Sequence, residues 1–173
     1  MYKSFYLVAV LLLLLSSCGN NPVEKEPLDA NVAYYNSIKH LTGLGFQPAL
    51  KEADSVQVLF YDDPDGDAKR YTRYYKWFPS HDSNVVNPLK QAADKHFERL
   101  EKIKDCRSEG KIHFFKGDNP TQTFYFSNRG DSCNHLFFIA DGWFYYMPMD
   151  SSSASFLKEL KSQAVVPPSD MQP

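Results

Sequence analysis

An excess of positive charge is what this sequence lacks first: 19 Lys and Arg stand against 21 Asp and Glu, a formal net charge of −2. A nucleic-acid surface gathers basic residues into a patch, and the interspersed signs here argue against that class of partner. Catalytic signatures are missing too. There is no G-x-S-x-G, no H-E-x-x-H and no glycine-rich phosphate loop, so nothing points to an enzyme or a cofactor. Of the three cysteines, Cys18, Cys106 and Cys133, none falls in a C-x-x-C pair. No histidine stands at ligand spacing from them, so no metal centre is expected. The longest apolar run, residues 6–15, is well short of the about 20 residues that cross a bilayer.

Aromatic residues, by contrast, are plentiful: 13 Phe, 11 Tyr and 2 Trp make up 15% of 173 residues. They cluster in strand-like segments, and aromatic side chains favour strands, so the first implication is a β-rich core. The length suits one domain with a sizeable core.

The N-terminus carries the most specific signal. Lys3 precedes the apolar run, five leucines close it, and Leu15-Ser16-Ser17-Cys18 follows. Charged start, short apolar stretch and small residues together form a secretory signal. The tetrad resembles the lipobox of bacterial lipoproteins. That resemblance implies cleavage after residue 17, acylation of the Cys18 sulfur and a lipid anchor at the new N-terminus. Residues 18–27 (CGNNPVEKEP) then read as a lipidated tether. Gly19 is not the aspartate that retains such proteins at the inner membrane, so the outer membrane is the expected destination. In organisation, with segments such as GKIHFFKGD and DGWFYYMPM, the remainder is similar to small uncharacterised lipoproteins of Gram-negative bacteria.

Export gives the remaining cysteines a meaning. Cys106 and Cys133 form an even pair in an oxidising compartment, and a structural disulfide is the expectation; a metal pair or a catalytic thiol are the alternatives.

Residues 28–163 read as one α+β domain of order α-ββ-α-ββββ-α, a hairpin plus a four-stranded antiparallel meander with helices on one face. The first helix has Asp29 as N-cap and Ala33, Tyr34, Ser37, Ile38 and Leu41 on one side, ending at Gly43 and Gly45. Residues 55–61 and 69–78 form the hairpin around an acidic turn, residues 62–67. Asn87 and Pro88 open a second helix, with Leu89, Ala92, Ala93, His96, Phe97, Leu100 and Ile103 on its apolar stripe. Runs at residues 111–116, 121–127, 135–140 and 143–147 make the meander. Residues 153–163 form the last helix, and 164–173 a disordered tail.

Three surface features invite a function. The acidic turn holds Asp62, Asp63, Asp65 and Asp67, but Gly66 comes one position early for a calcium loop, so it reads as a solvated turn. Arg129-Gly130-Asp131 spells an adhesion tripeptide and is equally plain turn chemistry. Strand alternation puts Tyr71, Arg73, Tyr75 and Trp77 on one side. Tyr125, Trp143 and Tyr145 have the parity opposite to neighbouring Phe residues, which suggests one Tyr/Trp-rich sheet face. Such a face suits a protein or glycan partner; covered on both sides, the same residues are core. The expected function is a non-enzymatic, membrane-anchored binding or assembly module. An inhibitor or immunity-type lipoprotein acting against a secreted hydrolase or toxin is the alternative.

Overall fold

The alternating segment SVQVLFY forms β1 (Ser55–Tyr61), which pairs with a strand on each side. The structure is a computed structural model that describes residues 28–65 and 75–168. The chain divides into two compact units, Met1–Tyr35 and Asn36–Pro173. Helix α1 (Leu28–Ile38) crosses that division, and every later element belongs to the second unit.

These elements are α2 (Gly43–Phe46), a 3-10 turn (Pro48–Glu52), β1, β2 (Tyr75–Ser80), α3 (Ser83–Ala93), β3 (Glu98–Leu100), β4 (Gly110–Lys116), β5 (Asn119–Asn128), a second 3-10 turn (Asp131–Cys133), β6 (Asn134–Ala140), β7 (Trp143–Pro148) and α4 (Ser151–Gln163). All seven strands join one antiparallel sheet in the order β2-β1-β4-β5-β6-β7-β3. The fold is α+β, with the hairpin and four-stranded meander in the expected order and one further strand at the edge. Asp141 and Gly142 both have positive φ (50° and 76°) and join β6 to β7 through a two-residue turn, the geometry that Asp-Gly favours between twisted strands.

Residues paired across strands point to the same side of a sheet. On the helix side the register aligns Val56, Val58 and Phe60 with Ile112, Phe114, Phe124, Phe126, Leu136, Phe138, Tyr145 and Met147. All of these are fully buried. Phe46 of α2 packs on Phe138 and Tyr145, with ring centroids 5.5 and 5.0 Å apart. Leu157 of α4 lies beside Phe60 and Phe126, and α3 packs against both α2 and α4. This aromatic and aliphatic layer is the core.

Three expectations need correction. The second helix runs from Ser83, not Asn87: Asp82 is its N-cap, accepting from the Asn84 N–H at 2.8 Å, and Pro88 lies inside it. It stops at Ala93, because the following backbone is claimed elsewhere. Gly43 N–H donates to the Lys95 carbonyl at 3.0 Å, His96 bridges Thr42, and residues 98–100 pair with β7. Gly43 and Gly45 do not end the first helix; they form α2, capped by Thr42, whose Oγ1 accepts from the Gly45 N–H. The tail is not wholly free of structure, since Trp77 and Val165 exchange two backbone hydrogen bonds of 2.7 and 3.0 Å. The expected disulfide joins Cys106 to Cys133, Cα atoms 5.6 Å apart, and ties the loop after β3 to the turn before β6.

Candidate functional site

The side of the sheet away from α2, α3 and α4 carries a row set by cross-strand register: Trp77, Leu59, Lys111, Tyr125, Phe137, Tyr146 and Glu98. One strand step along, Tyr75 and Tyr61 face each other, as do Ser127 and His135. The rings of Tyr125 and Phe137 stack at 5.0 Å, and Phe137 meets Tyr146 at the same distance. This is an aromatic floor on the face opposite α2, α3 and α4, where Leu59, Tyr61, Phe137 and Tyr146 are buried.

Over its β6–β7 end lies the loop of residues 101–109. Its backbone is pinned at several points. Lys104 N–H donates to the Tyr146 hydroxyl at 2.8 Å, and the Lys104 ammonium sits 4.9 Å above the Tyr146 ring while pairing with Glu98 at 3.1 Å. The disulfide binds Cys106 to the turn before β6. Buried Ser108 donates to the carbonyls of Gly110 and Phe126, and Glu109 accepts from the Asn128 N–H at 2.7 Å. Between loop and sheet runs a groove of about 460 Å³, lined by Tyr61, Ile103, Lys104, Asp105, Cys106, Arg107, Ser108, Lys111, Tyr125, Phe137 and Ile139. Ligand sites span about 300–1,000 Å³. Two aliphatic side chains stand at its rim largely in solvent, Ile103 at 57% exposure and Ile139 at 49%.

The titrating groups near the groove are shifted by burial. Desolvation pushes the Tyr146 hydroxyl above its ordinary value, against the pull of the Lys104 N–H. His135 is buried, and neither ring nitrogen has a hydrogen-bond partner among the described residues. Burial drives its pKa down and the Lys104 charge adds to this, while the Ser132 carbonyl pulls weakly the other way. His113, one residue pair along the face, is lowered by burial and by Lys111, and its Nδ1 lies 2.8 Å from the Thr123 hydroxyl. Lys111 itself, half-buried in the middle of the sheet, makes no ion pair or hydrogen bond with any described residue.

The structure separates the residues expected to share one surface. Tyr75, Trp77 and Tyr125 do lie on the open face. Trp143 and Tyr145 lie on the helix side, which corrects the single Tyr/Trp face. Tyr145 is fully buried with its ring 4.8 Å from Phe138, and the Arg99 guanidinium covers Trp143 at 4.1 Å. The two-residue turn is the reason, since it pairs Ala140 with Trp143 and Phe138 with Tyr145. Tyr71 and Arg73 lie outside the described residues, as do the Cys18 leader and Gly66 and Asp67 of the acidic turn. Of that turn, Asp65 is engaged: Arg129 donates to its carboxylate, and that bond lowers the Asp65 pKa. The same contact occupies the arginine of the Arg129-Gly130-Asp131 tripeptide. No cluster of metal-ligating side chains occurs among the described residues.

Sequence reasoning missed Tyr61, Ile103, Lys111, Phe137 and Ile139. The signal was present in GKIHFFK, where Lys111 and His113 alternate with the buried Ile112 and Phe114 and so occupy the opposite face. No protein-family model, curated protein or solved structure matches the chain.

Proposed function

We propose that this protein is a lipid-anchored binding module of the bacterial cell envelope that holds a protein partner, without catalysis, in the groove between the 101–109 loop and the sheet. One observation carries the reading. The groove under the 101–109 loop combines a stacked aromatic floor with two exposed isoleucines at its rim. Exposed aliphatic side chains beside a desolvated aromatic patch mark a surface that a protein partner would cover. The leader ending in Cys18 supports the anchor and the envelope location, with the outer membrane the favoured site.

The test is affinity capture from cell envelope and medium with the full chain in mild detergent, beside an Ile103→Ser/Ile139→Ser variant. Both positions are exposed, so the variant keeps its fold. One protein retained in stoichiometric amount by the parent and lost by the variant is the expected result. Retention of glycan alone, or equal retention by both forms, overturns the assignment.

A further inference from the structure

Lys111 is the feature of the groove that an aromatic surface alone does not require. It stands on a central strand, half-buried between Leu59 on β1 and Tyr125 on β5. A lysine seldom sits on such ground without a carboxylate beside it, and here none of the described residues pairs with it. Of the cations among the described lining residues, Lys104 pairs with Glu98 and Arg107 is engaged elsewhere, so Lys111 is the one that meets the groove without a described carboxylate. Complementary charge gives an interface its specificity and orientation.

The dimensions suggest the form of the occupant. The lining crosses β1, β4, β5 and β6, three strand spacings of about 4.8 Å each, or roughly 14 Å; that is the length of about four residues of extended chain. A membrane surface fits less well, because Lys111 is half-buried on the groove floor.

We infer that the groove takes an extended acidic peptide segment of a partner protein, with an apolar side chain on the Tyr125–Phe137 floor and a carboxylate on Lys111. The inference rests on the binding-module reading and names the chemistry of its partner.

The experiment titrates the full chain in a zwitterionic detergent with three blocked tetrapeptides: Glu-Leu-Phe-Asp, its neutral counterpart Gln-Leu-Phe-Asn, and Lys-Leu-Phe-Lys. Binding is followed by calorimetry or by amide shifts. The acidic peptide is expected to bind about tenfold more tightly than the neutral one, and the basic peptide not at all. Raising the salt from about 20 mM to about 500 mM should erase that preference. Lys111→Met should also remove it, the acidic and neutral peptides then binding alike, a readout that mere loss of folding does not give. Equal affinity for acidic and basic peptides, no binding by any of them, or an acidic preference that survives in Lys111→Met would overturn the inference. So would recruitment of the lysine-intact chain to phosphatidylglycerol vesicles in competition with the acidic peptide. If the peptides fail while the isoleucine variant still loses its captured protein, the binding-module reading stands and only the acidic-peptide chemistry falls.

Discussion

Single residues in this fold are constrained by backbone approach and by unmade hydrogen bonds. Gly110 begins β4 where a Cβ would lie 2.0 Å from the Leu59 carbonyl oxygen and 2.5 Å from the Phe126 ring. Neither neighbour can retreat, because both belong to the central strands. Gly110→Ala should therefore destabilise by about 3 kcal/mol or more, measured by urea denaturation; a loss below about 1 kcal/mol would mean that β1 and β4 separate there at little expense. His135 presents the opposite case, a polar ring among Phe137, Tyr146 and Ser127 with nothing to bond. Its folded pKa lies below the ordinary 6.5. Above that value both folded and unfolded chains carry a neutral ring and stability is at its full level. As the pH falls through 6.5 the unfolded chain binds a proton that the folded chain refuses, so stability declines until the folded pKa is reached. His113 acts in the same direction. His135→Phe should leave stability near neutral pH unchanged or raised, since it removes an unsatisfied buried group. It should also reduce the decline between about pH 7.5 and about pH 5.5 to the part due to His113. Denaturant midpoints at the two pH values decide it, and an unaltered slope would assign the acid sensitivity elsewhere.

At the level of elements, the disulfide does more than close a chain loop. It holds residues 101–109 over the open face of the sheet, together with the Lys104–Tyr146 bond and the Ser108 bonds. Cross-linking residues 27 apart stabilises by about 3–4 kcal/mol in the chain-entropy model. Cys106→Ser/Cys133→Ser should lose about that amount. Hydrogen exchange should quicken in residues 101–109 while the β4–β5 pairing stays protected; uniform acceleration would show that the bond supports the whole sheet. What was legible in the sequence divides along the same line. β1 was read to the residue and the meander strands to within two, because each alternates and is bounded by turn residues. The runs 135–140 and 143–147 leave only Asp141 and Gly142 between them, and such a two-residue turn puts Phe138 and Tyr145 on one side. Residues 94–103 continue a helical stripe, and only pairing with Thr42, Gly43 and β7 unwinds them. That is a tertiary effect, invisible to periodicity. The groove was half legible, through Tyr125 and the cysteines, but its loop wall depended on the same unwinding.

For the whole molecule, the anchor and the groove bear on each other. In the proposed reading, attachment rests on the lipid at Cys18; no helix among the described residues is long and apolar enough to cross a membrane. Each buried methylene contributes about 0.8 kcal/mol; one acyl chain holds marginally and two or more hold durably. A groove that accommodates about four extended residues binds weakly when both partners diffuse freely. Tethering changes this, since a short flexible link raises the effective concentration to the millimolar range. A weak site on a membrane-bound protein then suffices for a partner in the same membrane. Cys18→Ser tests both halves. The parent protein should pellet with membranes, resist high salt and dissolve only in detergent. The variant should be unprocessed, or soluble and lipid-free. If the variant stays membrane-bound at the processed mass, Cys18 is not the anchor. Released and purified, it should bind its partner as the parent does, because the sheet unit is untouched. In cells it should capture far less, by the factor that tethering supplies, about a hundredfold or more. Undiminished capture by the soluble form would mean that the groove binds tightly without help, and that the lipid serves only to place the protein.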